Sequence, residues 1–376
     1  MKVSKRLESI PVSGIRKMFD LAGPNSINLG LGEPDLAPPH EAIVGLSEAA
    51  ENGRNKYGPT SGTLALRQAV AEKFSSFGKL KTENVMITPS GSTALLEVTQ
   101  SFIDVGDEVL VPDPGFVIYS PHVRLAGGTP VNYRVTEGDF QPDVEHIKSR
   151  ITPNTKMIIV NSPSNPTGGV MAEETYKALS DIAEDRNITI LSDEVYFGFV
   201  YEGKHHSFLN QLDKAVVVNS FSKMLALPGW RMGFLCAEEG IMADLVKMQY
   251  HVCACVNMPS EYGILNALPV MDAYLEKAKN TFKKRRDLIS KRLNEVEGFS
   301  IIPPRGAFYA FPSYDMDISS VDLASELLKN DLICTPGSAF GEFGEKHLRF
   351  SYAADESKIN AGMDILADTV KKLRRK

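Results

Sequence analysis

A chain of 376 residues is long enough for two or three domains and for a core that needs no disulfide or metal to hold it. With 43% hydrophobic and 23% charged residues it has an ordinary globular composition, which excludes disorder, collagen-like repeats and coiled coil as its main organisation. The net charge is −6 and basic residues cluster on no segment, which argues against nucleic acid or an anionic membrane as the principal partner.

No apolar run approaches the ~20 residues of a membrane span. Met1 to Asp20 alternates charges with single apolar residues and has neither an apolar core nor a small-residue cleavage site, so no secretion signal is expected. The four cysteines (Cys236, Cys253, Cys255 and Cys334) make no disulfide framework. That fits a reducing compartment, and a cytoplasmic location is the expectation.

In chain order, residues 1–40 are rich in Pro and Gly with little periodicity. They are expected to pack with a later, smaller domain or across the mouth of a site. Residues 41–280 alternate strand and helix signals and are expected to form a large domain. Short, β-branched apolar runs predict seven strands: Asn84–Pro89, Asp107–Pro112, Thr129–Val135, Lys156–Asn161, Ile188–Asp193, Ala215–Ser220 and Arg231–Ala237. Helical patterns lie between most of them, at Gly62–Phe77, Thr93–Ile103 and Ala172–Arg186. Such alternation predicts an α/β fold with a mainly parallel seven-stranded sheet flanked by helices. A long charged helix, Tyr274 to Val296, bridges to residues 281–376, where an α+β pattern predicts the smaller domain. Its strand signals are Phe299–Pro303, Ala307–Phe311, Leu332–Thr335 and His347–Tyr352, and a helix over Asp355–Leu373 ends it.

Ligands of such sheets bind beyond the C-terminal ends of the strands, and polar residues interrupt the pattern there. Ser90-Gly91-Ser92-Thr93 leads into a helix and could hold a phosphate on free N–H groups and hydroxyls, or simply cap the helix. Ser162-Pro163-Ser164-Asn165-Pro166-Thr167-Gly168 reads first as a rigid turn. Asp193 ends a buried apolar strand, where a carboxylate needs a partner or serves as a cap. Lys223 follows Asn219-Ser220-Phe221-Ser222 at another strand end. It suits imine formation, though a lone lysine is more often solvent-exposed. Arg231 and Arg349 sit in apolar surroundings, and a guanidinium there suits a carboxylate or phosphate. Together these groups make the inventory needed by pyridoxal phosphate and an amino-acid substrate.

Several other features carry no chemistry. Gly30-Leu31-Gly32 lacks the third glycine of a dinucleotide fingerprint. Cys253-Ala254-Cys255 and His205-His206 lack the further ligands of a zinc site, so no metal is expected. Asn187-Ile188-Thr189 fits a glycosylation sequon but leads into a buried strand.

The ordered motifs resemble the class I/II aminotransferases of fold-type I pyridoxal-phosphate enzymes, from about Ile10 to Leu373. They are Asn28-Leu29-Gly30-Leu31-Gly32-Glu33-Pro34-Asp35, Tyr57 with Gly62 and Leu66-Arg67, Ser90-Gly91-Ser92, and Asn165-Pro166-Thr167-Gly168. Next come Ser192-Asp193-Glu194-Val195-Tyr196, Ser220-Phe221-Ser222-Lys223, Gly229-Trp230-Arg231, Gly306-Ala307-Phe308-Tyr309 and Arg349-Phe350-Ser351-Tyr352. The resemblance implies roles for residues that match. Lys223 binds the cofactor aldehyde as an imine and then shuttles a proton at the substrate Cα. Asp193 pairs with the pyridinium nitrogen. Asn165 and Tyr196 donate to the ring's phenolic oxygen, and Phe116 stacks on the ring. Gly91, Ser92, Ser220, Ser222 and Arg231 hold the phosphate, joined by Tyr57 from a partner subunit, which implies a homodimer with shared sites. Arg349 grips the substrate α-carboxylate, with the Gly32 backbone opposite.

The implied reaction moves an amino group from an L-amino acid, aspartate or aromatic, to a 2-oxo acid such as 2-oxoglutarate by a ping-pong route. One departure bears on substrate. Ser92 stands where an aspartate-using subgroup has a lysine that reads the distal carboxylate. Arg16 or Lys17 could replace that cation; otherwise the pocket suits aromatic or apolar side chains. Carbon–sulfur β-lyases and aminocyclopropane-carboxylate synthases share these motifs, which makes a lyase the alternative. An aminotransferase-like regulator would carry an added DNA-binding domain, for which the chain shows no signal.

Overall fold

The computed structural model describes residues 2–10, 23 and 25–375. The seven expected strands form one sheet: β1 (Val85–Thr88), β2 (Glu108–Asp113), β3 (Thr129–Arg134), β4 (Thr155–Asn161), β5 (Thr189–Asp193), β6 (Ala215–Ser220) and β7 (Gly233–Cys236). Their spatial order is β1-β7-β6-β5-β4-β2-β3. The central strands β4 to β7, and β1, are buried almost throughout because both faces are covered, whereas the edge strand β3 is largely exposed and carries Thr129, Asn132 and Arg134. Ile158, Val160, Ile190 and Val217 feed one core, while Met157, Ile159, Leu191, Val216 and Val218 feed the other, with the period of two that a pleated strand imposes.

Four of the six neighbouring pairs are parallel, as the alternation of strand and helix leads one to expect, and the other two both involve the reversed strand β7. It runs antiparallel to both β6 and β1, whereas β2 to β6 pair in parallel. The strand expected over Arg231–Ala237 therefore needs correction at its start. Pro228–Trp230 forms a short 3-10 turn, and Arg231 follows with φ 56°, before β7 begins at Gly233. Because β7 is reversed, Gly233 lies level with Ser220 and Thr88. The start of β7 thus meets the edge where the parallel strands end, and Arg231 reaches the same cleft as the residues following them.

Helix boundaries shift by a few residues from expectation. The Gly62–Phe77 pattern is helical over Leu64–Lys73, capped by Thr63, and Ala172–Arg186 over Glu173–Arg186. The helix expected from Thr93 starts at Gly91 and runs to Phe102, because the Ser90 hydroxyl accepts from the Thr93 N–H at 3.1 Å. The Tyr119–Ala126 helix carries Pro121 in its first turn, which reads as a breaker but is tolerated there. No helix among the described residues is long and apolar enough to cross a membrane.

The C-terminal elements include a three-stranded antiparallel sheet of Tyr309–Ala310, Leu348–Ser351 and Thr335–Pro336. Ile27–Asn28 pairs in parallel with Leu332–Ile333. A 24-residue helix, Met271–Asn294, spans about 36 Å at 1.5 Å per residue. Its Arg285 grips both oxygens of Asp35 at 2.7 and 3.0 Å, and Tyr274 donates to the Ala37 carbonyl. The Ser351 N–H donates to the Leu29 carbonyl at 2.6 Å. These contacts fix the Gly30–Gly32 stretch over the sheet edge.

A second link joins that edge to the C-terminal elements. The Asp113 carboxylate, at the end of β2 and 1% exposed, accepts from the N–H groups of Glu342 and Phe343 at 3.0 Å each and from the Asn132 amide at 2.7 Å. Gly341 has φ 135°, and a Cβ there would strike the same carboxylate. The Gly115 N–H donates to the Phe340 carbonyl at 2.8 Å beside it. Asp113→Ala leaves three donors without their acceptor. An orphaned buried group costs ~1–3 kcal/mol; because Glu342, Phe343 and Asn132 are exposed and water can replace part of what they lose, urea unfolding is expected to show a loss of about 2–4 kcal/mol, and Asp113→Asn a smaller one. An alanine variant as stable as the parent contradicts the link.

Candidate active site

The strand ends, the Gly30–Gly32 stretch and Arg349 enclose a cleft of about 490 Å³, within the range of small-ligand sites. Its lining includes twelve of the thirteen residues singled out from sequence: Gly32, Gly91, Ser92, Phe116, Asn165, Asp193, Tyr196, Ser220, Ser222, Lys223, Arg231 and Arg349. Three lining side chains are cationic (Lys223, Arg231 and Arg349) and one, Asp193, is anionic, so the cleft suits ligands with more than one negative charge.

Tyr57 is the thirteenth. It is 91% exposed and lies along a surface groove with Asn55, Lys56 and Cys255 to Pro259, outside the cleft of its own chain. Arg16 and Lys17 lie outside the described residues.

One end of the cleft is built by the start of the Gly91–Phe102 helix. A helix N-terminus offers unpaired N–H groups and a positive dipole end. The Ser92, Ser220 and Ser222 side chains and Arg231 gather around it. Ser220 closes a tight turn, with its hydroxyl accepting from the Ser222 N–H at 3.2 Å, and Arg231 is braced on the Pro228 carbonyl at 2.8 Å. A Cβ on Gly91 would come within 3.3 Å of both Ser220 and Val195. The glycine lets the helix end seat closely against β6, and the donor set matches a phosphate ester.

Deeper in the cleft, Asp193 ends β5 and is 2% exposed. Its carboxylate accepts from the Tyr119 hydroxyl at 2.8 Å and the Val195 N–H at 3.3 Å. Burial outweighs those bonds and pushes its pKa up to about 6. A buried carboxylate without a cation fits a protonated ring nitrogen. Phe116 lies in the same wall, edge-on to Tyr119 with ring centroids 5.8 Å apart. Next to Asp193, Glu194 takes hydrogen bonds from His205, Ser207, Ser192 and the Phe208 N–H, so this carboxylate is fully engaged away from the cleft. His205, read from sequence as no metal ligand, serves as one of its partners.

Lys223 sits in the one-turn helix after β6, and its Nζ donates to the Gly32 carbonyl at 2.7 Å. Burial, with Arg231 and Arg349 nearby, pulls its pKa down to about 8 against the pull of Glu33. With a pKa near 8 an appreciable fraction of the amine is neutral near physiological pH, and the neutral form is the nucleophile an aldehyde requires. The helix end with its serines and Arg231, the buried carboxylate without a cation and this amine therefore fit pyridoxal 5′-phosphate.

Arg349, 4% exposed, lies across the cleft. It donates to the Asn165 side-chain oxygen at 2.8 Å, to the Gly30 carbonyl and to the Thr335 hydroxyl at 3.2 Å. Its guanidinium lies 4.6 Å from the Tyr309 ring and 4.8 Å from the Phe340 ring. The Gly30 carbonyl thus faces Arg349, and the Gly32 carbonyl faces Lys223. Tyr196 shares a 2.7 Å hydroxyl–hydroxyl bond with Tyr309. Tyr119, Tyr309, Gly30 and Thr335 escaped the sequence reading, although Gly30 and Tyr309 lie inside quoted motifs.

A family model described as aminotransferase class I and II matches residues 24–366. The chain is 38% identical over 374 residues to a probable aspartate aminotransferase of Methanocaldococcus jannaschii, covering 97% of this chain and 99% of that one. It is 37% identical over 385 residues to aromatic-amino-acid aminotransferase 2 of Thermococcus litoralis, covering 99% of each. The solved structure of Thermus thermophilus aspartate aminotransferase with maleate superposes with a TM-score of 0.93 at 30% identity, over 98% of this chain and 100% of that one.

The raised Asp193 pKa has a sign that can be measured. A carboxyl with a folded-state pKa above its unfolded value stabilises the fold at low pH, and that stability is lost as pH rises through the folded value. Between 3.8 and about 6, the cofactor-free protein is expected to lose on the order of 3 kcal/mol from this group at 1.36 kcal/mol per unit. Asp193→Asn should remove that slope from a stability–pH profile. A profile unchanged by the substitution contradicts the assignment.

Proposed function

As the chain belongs to the class I and II aminotransferases, an enzyme family dependent on pyridoxal phosphate, we propose that it transfers the amino group of aspartate or an aromatic L-amino acid to a 2-oxo acid, with 2-oxoglutarate as acceptor, by a ping-pong route. The observation that carries this reading is the meeting of a depressed-pKa amine, a buried carboxylate and a buried guanidinium in one cleft of about 490 Å³. Bound pyridoxal phosphate supplies the electron sink at the substrate Cα and carries the amino group between half-reactions.

The residues do the rest. Gly91, Ser92, Ser220, Ser222 and Arg231 hold the phosphate, and Phe116 covers one face of the ring. Asp193 keeps a proton on the ring nitrogen, where its carboxylate becomes an ion-pair partner instead of an isolated buried charge. Asn165 and Tyr196 donate to the phenolic oxygen. Lys223, neutral in a useful fraction of molecules near pH 8, takes the proton from Cα and returns it on the other side of the transfer. Arg349 binds the α-carboxylate through its planar fork.

Side-chain recognition is looser in this reading. Two observations favour breadth: Ser92 offers a hydroxyl where a cation would favour aspartate, and Leu31, Leu95, Phe116 and Val117 add apolar lining. The relatives are named for both aspartate and aromatic amino acids, and the Thermus structure holds maleate, a dicarboxylate. We also assign a homodimer, in which the exposed Tyr57 reaches the neighbour's phosphate site, and a cytoplasmic location, in keeping with four unpaired cysteines.

Aspartate, phenylalanine and tyrosine, each tested with 2-oxoglutarate in one preparation, are expected to differ in kcat/KM by less than ~10³. A site built around a dedicated polar partner discriminates by ~10⁴ or more, and a preference of that size for aspartate overturns the open pocket. For the shared site, an active monomer in sedimentation at working concentration overturns the role of Tyr57.

A further inference from the structure

Tyr309 has no part in the roles above, yet it touches three of the groups that perform them. Its hydroxyl lies 2.7 Å from that of Tyr196. Its ring lies beneath Arg349, 4.6 Å from the guanidinium carbon. A Cβ on Gly32 would strike the same hydroxyl, and the Gly32 carbonyl is the acceptor for Lys223. Tyr309 is 2% exposed, and its strand pairs it with Ser351, two residues beyond Arg349.

We propose that Tyr309 is a positioning residue that directs the single hydroxyl proton of Tyr196 into the cleft, toward the cofactor's phenolic oxygen. The inference rests on the reading in which Tyr196 donates to that oxygen. A phenol carries one proton. The bond between the two hydroxyls can run either way, and if Tyr196 spends its proton on Tyr309 it has none for the cofactor. Arg349 breaks the tie. Burial raises the pKa of both phenols and Arg349 pulls against it on both, but the guanidinium lies directly against the Tyr309 ring, 4.6 Å from its centroid, so it favours the phenolate side more for Tyr309 and makes Tyr309 the better donor of the two. Tyr309 then donates, Tyr196 accepts, and the Tyr196 proton points away from Tyr309. A donor chain of this kind polarises its next member, so Tyr196 becomes the stronger donor to the ring. The ionisable groups acting on this pair are Arg349, which lowers the pKa of both phenols, and Asp193, which raises both. Gly32 has its own part in the device, because only a residue without a Cβ leaves room for the Tyr309 hydroxyl.

The test reads the visible absorbance of the cofactor-loaded protein against pH, without substrate. A donor on the phenolic oxygen draws off its negative charge and lowers the proton affinity of the neighbouring imine nitrogen. Tyr196→Phe is therefore expected to raise the titration midpoint. Tyr309→Phe, which keeps the ring under Arg349, is expected to raise it by about half a unit, the scale of a charge-assisted hydrogen bond weakened but not lost. In the Tyr196→Phe background the second substitution should add nothing, because Tyr309 acts only through Tyr196. Gly32→Ala, which crowds the hydroxyl, should reproduce the Tyr309→Phe shift, and melting curves verify that each variant is folded. A Tyr309→Phe midpoint equal to the parent's, with Tyr196→Phe shifted, overturns the inference and leaves the function standing. An equal shift in both backgrounds also overturns it. If Tyr196→Phe itself leaves the midpoint in place, the role given to Tyr196 fails and this inference fails with it.

Discussion

A guanidinium sealed in the interior without a counter-ion is the constraint on which the rest of this site depends. Arg349 is 4% exposed and, among the described residues, no carboxylate pairs with it. Neutral oxygens of Asn165, Gly30 and Thr335 hold its fork, two aromatic faces flank it, and its Nε has no partner. Such a charge is costly to bury unless something pairs with it. Asp193 is its mirror image: a carboxylate 2% exposed, held by a phenol and an N–H, with its pKa raised by burial. Two groups of opposite charge therefore share one cleft, each held by neutral groups and not by the other. A ligand that brings a cation to one and an anion to the other relieves both. That is a chemical description of a pyridinium ring joined to an amino acid.

The fold supplies the distances. Five parallel strands end at one edge, and reversed β7 brings its beginning to that same edge. Residues separated by more than a hundred positions in the chain, such as Ser92 and Arg231, then line one wall. Across the cleft, the Gly30–Gly32 stretch is tied down from two sides, by the Arg285–Asp35 pair and by pairing to Leu332–Ile333 and Ser351. Its two carbonyls divide the labour, Gly30 facing the guanidinium and Gly32 facing the amine. The Asp113 link sets the position of Phe340, which stacks on Arg349, relative to Phe116 on the other wall.

Much of this was legible in the sequence for a physical reason. A charged residue at the end of an apolar strand breaks a pattern, so Asp193 and Lys223 stand out, and so do the glycine and serines that begin the Gly91–Phe102 helix. Strand positions were legible because β-branched runs covered on both faces read alike in any context. The start of β7 was not, since Arg231-Met232 continues the apolar run and nothing local reports a residue with φ 56°. Tyr119 and Tyr309 were hidden for a similar reason. A tyrosine among apolar residues reads as core, and only the fold shows that its hydroxyl is aimed at a carboxylate or at another phenol. Tyr57 is the opposite case: its motif is plain, but its own chain leaves it outside the cleft.

The most direct test of the central claim is a calorimetric titration of the cofactor-loaded protein with two unreactive α-methyl amino acids, one acidic and one aromatic, against the parent and Arg349→Gln. If the buried guanidinium is there for the carboxylate shared by all amino acids, the substitution weakens both analogues by the same factor, about 10²-fold, within the range for truncating one partner of a buried charge-assisted pair. Unchanged affinity, or a loss confined to the acidic analogue, would show that Arg349 does not hold the common group.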